Sequence, residues 1–139
     1  MNETKKHEIM EAVGKWRPRL RLMDWSIAYR WDAQIDDDSA MECETQQKYR
    51  RIQLKVSSET KDNYWQTVEK QVLHELCHCL TAEGIDLAED MVSKVGPGRL
   101  AYEVAQVVLE KANERLVEWI ARTVWEAYEP TKWDEELVK

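Results

Sequence analysis

The sequence predicts an α+β domain in which helices pack against one small sheet. Apolar residues recur at helical spacing near the start of the chain and in its second half, whereas three segments between these regions alternate apolar and polar residues. A chain of 139 residues suits a single domain with one hydrophobic core. We therefore expect residues 1–139 to form one domain, with residues 131–139 as a loose tail.

The first half of the chain predicts one helix and three strands. Apolar residues at helical spacing indicate a helix that begins near residue 3 and ends near Trp16, before Pro18. Alternation of apolar and polar side chains then predicts three strands, at residues 25–31, 41–46 and 51–56, and the polar residues 36–39 read as a turn. We expect the strands to form a small antiparallel sheet.

Two helices are expected in the second half. The first runs from about Tyr64 to Ala82, with Thr60 or Asp62 as N-cap, and stops at Gly84. A mixed connection follows, with a short helix at 87–94 and a tight reversal at 96–98. A long helix then spans about 100–128 and ends before Pro130, and its predicted buried stripe consists of Ala101, Ala105, Val108, Ala112, Leu116 and Trp119.

Composition and charge exclude several classes of protein. Lys and Arg number 20 against 27 Asp and Glu, and the resulting formal charge of −7 argues against a nucleic-acid partner, whose phosphates attract basic surfaces. No apolar run approaches the roughly 20 residues of a membrane-spanning helix, and the first residues do not resemble a signal peptide. We therefore expect no membrane partner and a cytoplasmic location.

One motif in the sequence carries recognisable chemistry. Residues 74–78 read His-Glu-Leu-Cys-His, an H-E-x-x-H pattern in the middle of a predicted helix. Residues four apart lie above one another on a helix, so His74 and His78 can offer two nitrogens to one Zn²⁺. Glu75 lies beside them, where its carboxylate can take a proton from a zinc-activated water. The motif predicts one zinc ion per chain, with Glu75 as general base.

With this motif the sequence resembles the zincin metallopeptidases, in particular the small predicted metallopeptidases of phages and bacterial genomes. The similarity extends from Trp16 through the segment 24–27, the strand 49–56 and the motif to a late helix with Asn113-Glu114-Arg115-Leu116. The resemblance implies a minimal zincin fold that hydrolyses peptides or proteins. It also implies that the strand before the active helix, here 48–56, borders the cleft and binds an extended substrate.

A catalytic zinc normally has a third protein ligand. The only other histidine, His7, lies far from the motif in the sequence, and no third histidine stands where the metzincin pattern requires one. A carboxylate is therefore expected, and the candidates are Glu83, Asp86, Glu89, Asp90, Glu103, Glu110 and Glu114. The resemblance favours Glu110, with Glu103 in reserve, and implies that Glu114 orients a ligand imidazole.

Two other interpretations remain open. A zincin-like domain of phage or prophage origin can bind metal and act as an interaction or regulatory module without catalysis, because a fold does not determine a function. Alternatively, the two histidines lie on an ordinary amphipathic helix and bind no metal. The leading hypothesis is a zinc-dependent metallopeptidase that hydrolyses peptide bonds.

Overall fold

The computed structural model describes residues 1–35, 40–62, 66–94 and 100–134. The described elements are α1 (Glu3–Arg19), β1 (Ser26–Trp31), β2 (Met41–Gln46), a 3-10 turn (Gln47–Tyr49), β3 (Arg51–Val56), α2 (Val68–Ser93) and α3 (Leu100–Tyr128). The predicted α+β class is confirmed, and so is the order of helix, three strands and two helices. The turns expected at 36–39 and 96–98, the helix start at Tyr64 and the tail at 135–139 lie outside the described residues.

The sheet is mixed rather than antiparallel. Its strand order is β1-β3-β2, with β1 parallel to β3 and β2 antiparallel to β3. The short link from β2 to β3 turns at Arg50, whose φ of 50° is left-handed, and this makes a hairpin. β3 lies between β1 and β2, so β2 is an edge strand. The prediction of an antiparallel sheet is therefore wrong for β1.

The helices cover one face of this sheet. Ile52, Leu54 and Val56 of β3 point to that face and are almost fully buried. α2 lies at the centre of the helical layer, where it contacts α1, α3 and β2. The motif helix is therefore surrounded by the elements that could supply further groups to a site.

Two helix ends differ from the predicted ones. α1 runs to Arg19 and includes Pro18 in its last turn. α2 begins after its N-cap Thr67, with Asp62 accepting a hydrogen bond from the Val68 amide, and continues past Gly84 to Ser93. A glycine inside an exposed helix costs only about 1 kcal/mol, so it does not have to end one. The separate helix expected at 87–94 is the second half of α2.

α3 buries a different face from the one predicted. Its fully buried residues are Val117 and Ala121, followed by Trp125, which is nearly so. The side chain of Ala101 lies outside the described ones, and the rest of the predicted stripe is largely exposed, since Val108 is 60% and Trp119 is 70% accessible. The rotation matters for the site, because it changes which glutamates of α3 face α2.

The chain after α3 folds back onto the core. Trp133 is 2% accessible and packs edge-on against Trp125, with ring centroids 6.1 Å apart. Trp125 in turn stacks on Trp16 of α1 at 5.5 Å. Residues 131–134 therefore differ from the loose tail expected there. Among the described residues, no helix is both long enough and apolar enough to cross a membrane.

Candidate metal centre

The two histidines of the motif lie one turn apart on the same side of α2. Their ring centroids are 5.4 Å apart, and the rings are inclined at 74°. Both side chains are largely buried, with accessibilities of 16% and 17%. Leu76 and Cys77 between them are fully buried in the core, which fixes the rotation of the helix. The placement agrees with the prediction that His74 and His78 converge on one point.

Glu114 of α3 completes the group. Its Oε1 lies 3.2 Å from Nε2 of His78, and its Oε2 lies 3.3 Å from Nε2 of His74. One ligand atom from each of the three residues can be chosen so that all lie within 4.8 Å of one another. Thr81 of α2 donates a hydrogen bond of 2.9 Å to the side-chain oxygen of Asn113, which ties the two helices together beside Glu114.

These separations suit a tetrahedral zinc ion. Ligands at about 2.0–2.1 Å from zinc, arranged tetrahedrally, lie roughly 3.3 Å from one another. Nε2 of His78 and Nε2 of His74 lie 3.2 and 3.3 Å from the two oxygens of Glu114, and one ligand atom from each residue lies within 4.8 Å of the others, which is close to this spacing. Two imidazoles and a carboxylate are a donor set used by catalytic zinc sites that keep a fourth position for water. The residues present therefore fit zinc.

The structure does not bring Glu110, the predicted third ligand, to either histidine. Glu110 lies one turn before Glu114 and lines the same cleft as the two imidazoles. Within the described residues it forms no ion pair with His74 or His78, whereas Glu114 pairs with both. Glu103, the reserve candidate, lies about two turns further away and does not line that cleft. Glu110 and Glu114 lie on the same face of α3, so the difference is one of position along the helix, and Glu114 is the one level with both imidazoles.

Glu118, and not Glu114, is the carboxylate placed to orient a ligand imidazole. Its Oε2 lies 2.7 Å from Nδ1 of His74, on the side of the ring away from Glu114. Burial alone would lower the pKa of His74, but the hydrogen bonds with Glu114 and Glu118 raise it to about 10. Hydrogen bonds from both histidines hold the pKa of Glu114 well below its usual range, so Glu114 is a carboxylate.

Glu75 lies against the edge of the sheet. Its Oε2 accepts a hydrogen bond of 3.0 Å from the backbone amide of Cys43 in β2. Burial raises the pKa of Glu75 to about 7, although the nearby charges of His78 and His74 oppose the rise. A carboxyl group with a pKa near neutrality is suited to exchange protons with a reacting group.

Two clefts meet at His74 and Glu114. One of about 680 Å³ is lined by Met41, Glu42, Cys43, His74, Glu75, His78, Glu110, Asn113 and Glu114. The other, of about 720 Å³, shares His74 and Glu114 and extends along α3 past Leu116 and Trp119. The candidate metal ligands thus lie between the two clefts, where an extended molecule can pass close to them.

The strand beside this site is β2, whereas the resemblance implied residues 48–56. β3 is central in the sheet and pairs on both sides, so its backbone has no free edge. The Cys43 amide points away from β3 towards Glu75, and alternate residues of an antiparallel strand point the same way. No other strand of the described residues pairs with this edge of β2. β2 is therefore the strand next to the histidines with backbone groups directed outwards.

Two features of the site did not emerge from the sequence. Glu118 was not among the candidates, although it follows Glu114 by four residues and so lies one turn further on α3. That spacing is a usable signal for two carboxylates on one helix face. The open edge of β2 depends on strand order and has no comparable signal in the sequence.

Comparisons of the chain with models of protein families, with curated proteins and with solved structures found no match.

Proposed function

We propose that the protein is a zinc-dependent metallopeptidase in which His74, His78 and Glu114 hold the metal. The observation that carries the proposal is the convergence of Glu114 on both Nε2 atoms, with a ligand atom from each of the three residues within 4.8 Å of the others. Glu114 replaces Glu110 in this ligand set, because Glu114 is the carboxylate that contacts both imidazoles. The choice of zinc rests on the donor types, two nitrogens and one oxygen.

Each residue has a role in the proposed hydrolysis. Zinc, when bound, supplies a water of lowered pKa and polarises the scissile carbonyl. Glu75 takes a proton from the attacking water and passes it to the leaving amine, which balances the hydrolysis of one peptide bond. Glu118 holds the Nδ1 proton of His74, so that Nε2 is directed to the metal.

The substrate is proposed to be a peptide or protein segment bound in extended form. The free edge of β2 can pair with it through backbone hydrogen bonds, which bind a peptide with little regard to its sequence. Cys43 donates its amide to Glu75, so an added strand would pair with the other outward backbone groups of β2 and would run beside the general base. We still predict that the protein is located in the cytoplasm.

The test uses the purified chain loaded with one equivalent of zinc and a library of peptides analysed by mass spectrometry. We expect cleavage, and we expect Glu75→Gln to retain zinc and lose activity by a factor of about 10² to 10⁴. Glu83→Gln is the matched control, because Glu83 is an exposed glutamate of the same helix outside both clefts, and it should cleave normally. Equal cleavage by Glu75→Gln would refute the assigned base.

A second candidate function is supported by exposed apolar side chains. Leu87 and Met91 of α2 are 61% and 68% accessible, and Leu100 and Val108 of α3 are 75% and 60% accessible. Where such residues lie together, the apolar patch that they form is typical of a surface that binds another protein. A metal-binding interaction module, of phage or prophage origin as the resemblance suggests, would retain zinc and cleave no peptide in the library.

A further inference from the structure

The segment after α3 reaches the metal centre through one indole group. Nε1 of Trp133 donates a hydrogen bond of 2.6 Å to Oε1 of Glu118. The other carboxylate oxygen of Glu118 lies 2.7 Å from Nδ1 of His74. Trp133 is 2% accessible, so its indole N–H has little access to water. The three side chains form a continuous chain of hydrogen bonds from the C-terminal segment to the imidazole.

The backbone of the same segment is anchored next to His74. Nζ of Lys70 donates to the carbonyl oxygen of Trp133 at 2.8 Å and to that of Lys132 at 3.2 Å. Lys70 precedes His74 by four residues, so the two side chains lie one turn apart on the same side of α2. Lys70 is buried, which is unusual for a lysine unless its ammonium group is satisfied by partners.

These contacts close a loop between α2 and α3. Lys70 fixes the backbone of Trp133, the indole of Trp133 fixes one oxygen of Glu118, and Glu118 fixes the ring of His74. A carboxylate with only one oxygen held can rotate about its side-chain bonds. Glu118 has both oxygens held, so the position of its Oε2 against His74 is defined.

We propose that Trp133 is a positioning residue of the metal centre, acting through Glu118 to hold His74 with Nδ1 protonated and Nε2 directed to the ligand group. The inference rests on the proposed function, because it assumes that Nε2 of His74 binds zinc. Partners of this kind around a ligand imidazole typically change metal affinity by 10–100-fold when they are removed. The C-terminal segment is then part of the site as well as of the core.

The test is the dissociation constant for Zn²⁺, measured by competition with a chromophoric chelator, in the wild type and Trp133→Phe. Phenylalanine keeps an aromatic ring against Trp125 but removes the N–H donor. We expect zinc to bind about tenfold more weakly to Trp133→Phe. An unchanged affinity, with zinc still bound by the wild type, would overturn this inference and leave the metal site intact.

Trp16→Phe is the matched control. Trp16 is also fully buried, and its indole donates a hydrogen bond of 3.0 Å to a glutamate, Glu69, which contacts no histidine among the described residues. Its zinc affinity should stay within about twofold of the wild type. A purely structural role for Trp133 would instead predict that both variants lose thermal stability and that neither, or both equally, loses affinity. Either pattern of affinities would overturn the proposal.

A second measurement needs no variant and covers the case in which Trp133→Phe does not fold. In ¹H–¹⁵N spectra of the wild type, zinc titration should shift the indole N–H resonance of Trp133 and leave that of Trp16 in place. An unmoved Trp133 resonance at saturating zinc would contradict the coupling. If the wild type bound no zinc at all, the proposed metal site would fail, and that result differs from failure of the Trp133 inference alone.

Discussion

His74 directs its two ring nitrogens at two different carboxylates of α3. Nδ1 faces Glu118 at 2.7 Å, and Nε2 faces Glu114 at 3.3 Å. A proton on both nitrogens satisfies both acceptors, which is why the pKa of His74 rises to about 10 despite its burial. Zinc needs a free lone pair on Nε2. A zinc ion that binds the metal-free protein must therefore displace the proton from this atom.

This competition predicts that zinc binding depends on pH. Below a pKa of about 10 His74 carries an extra proton, and binding must release it, so the affinity should rise with pH by up to about tenfold per unit between pH 6 and 8. Calorimetry in two buffers of different ionisation enthalpy should report release of at least about one proton. A zinc affinity that does not change over this range would contradict the assignment of Nε2 of His74 as a ligand.

A second prediction separates the two candidate glutamates. Glu114→Gln should weaken zinc binding by at least about 100-fold, because the charged ligand between the two imidazoles is lost. Glu110→Gln is the matched control one turn away, and it should change the affinity by less than about threefold. Chelator competition measures both, and the reverse order of effects would restore Glu110 as the ligand.

At the level of single residues, the sequence predicted what depends on spacing along one helix. The grouping of His74, Glu75 and His78 was predictable from helix geometry alone. The two histidines are four residues apart and so lie on one side of the helix, and Glu75 is next to His74. Glu114 and Glu118 face these residues only because α3 packs on α2 with a particular rotation. The resemblance, and not the predicted stripe, favoured Glu110 as ligand, whereas the structure brings Glu114, one turn further along the same face of α3, to both imidazoles.

The buried face of α3 shows what limits prediction for a whole element. Apolar residues occur on more than one side of this helix, so their periodicity does not determine which face is buried. Packing against α2 and the tryptophan cluster selects Val117, Ala121 and Trp125, and leaves Val108 and Trp119 exposed. The same limit applies to the sheet, where the alternation of side chains predicts strands but not their order or direction.

The packing of α3 predicts unequal effects of two equivalent substitutions. Val117→Ala should lower the free energy of unfolding of the metal-free protein by about 2 kcal/mol, because a fully buried side chain leaves a cavity. Val108→Ala removes the same atoms from a 60% accessible position and should cost less than about 0.5 kcal/mol. Urea unfolding compares the two, and equal losses would show that α3 is rotated differently.

For the whole molecule, the proposed metal site joins the two long helices near their middle. α2 supplies two ligands and α3 supplies one, while Thr81, Asn113 and the Trp133 segment connect the same helices through hydrogen bonds. A ligand that binds only the folded chain stabilises it by mass action. Zinc should therefore act as a cross-link between α2 and α3.

This predicts a large effect of zinc on thermal stability. Free zinc at about 100 times its dissociation constant should stabilise the fold by about 2.7 kcal/mol and raise Tm by roughly 5–15 °C. Chelation should reverse the shift, and His74→Ala should show none of it. A Tm that rises equally in His74→Ala would place the stabilising zinc elsewhere on the protein.

The class of the fold was predictable because the local pattern of apolar and polar residues indicates each helix and strand. The site was harder to predict, because it depends on how three elements are placed relative to one another. β2 supplies the amide that holds Glu75, α2 the two histidines, and α3 the two carboxylates. The proposed chemistry depends on this arrangement rather than on any one segment.

A crystal structure of the zinc-loaded protein, with anomalous diffraction at the zinc edge, tests the proposed metal site most directly. We expect one peak per chain, about 2.0–2.1 Å from Nε2 of His74, Nε2 of His78 and a carboxylate oxygen of Glu114. Glu118 should remain hydrogen-bonded to Nδ1 of His74. A peak bound by Glu110 in place of Glu114, or no peak between the histidines, would contradict the proposed metal site.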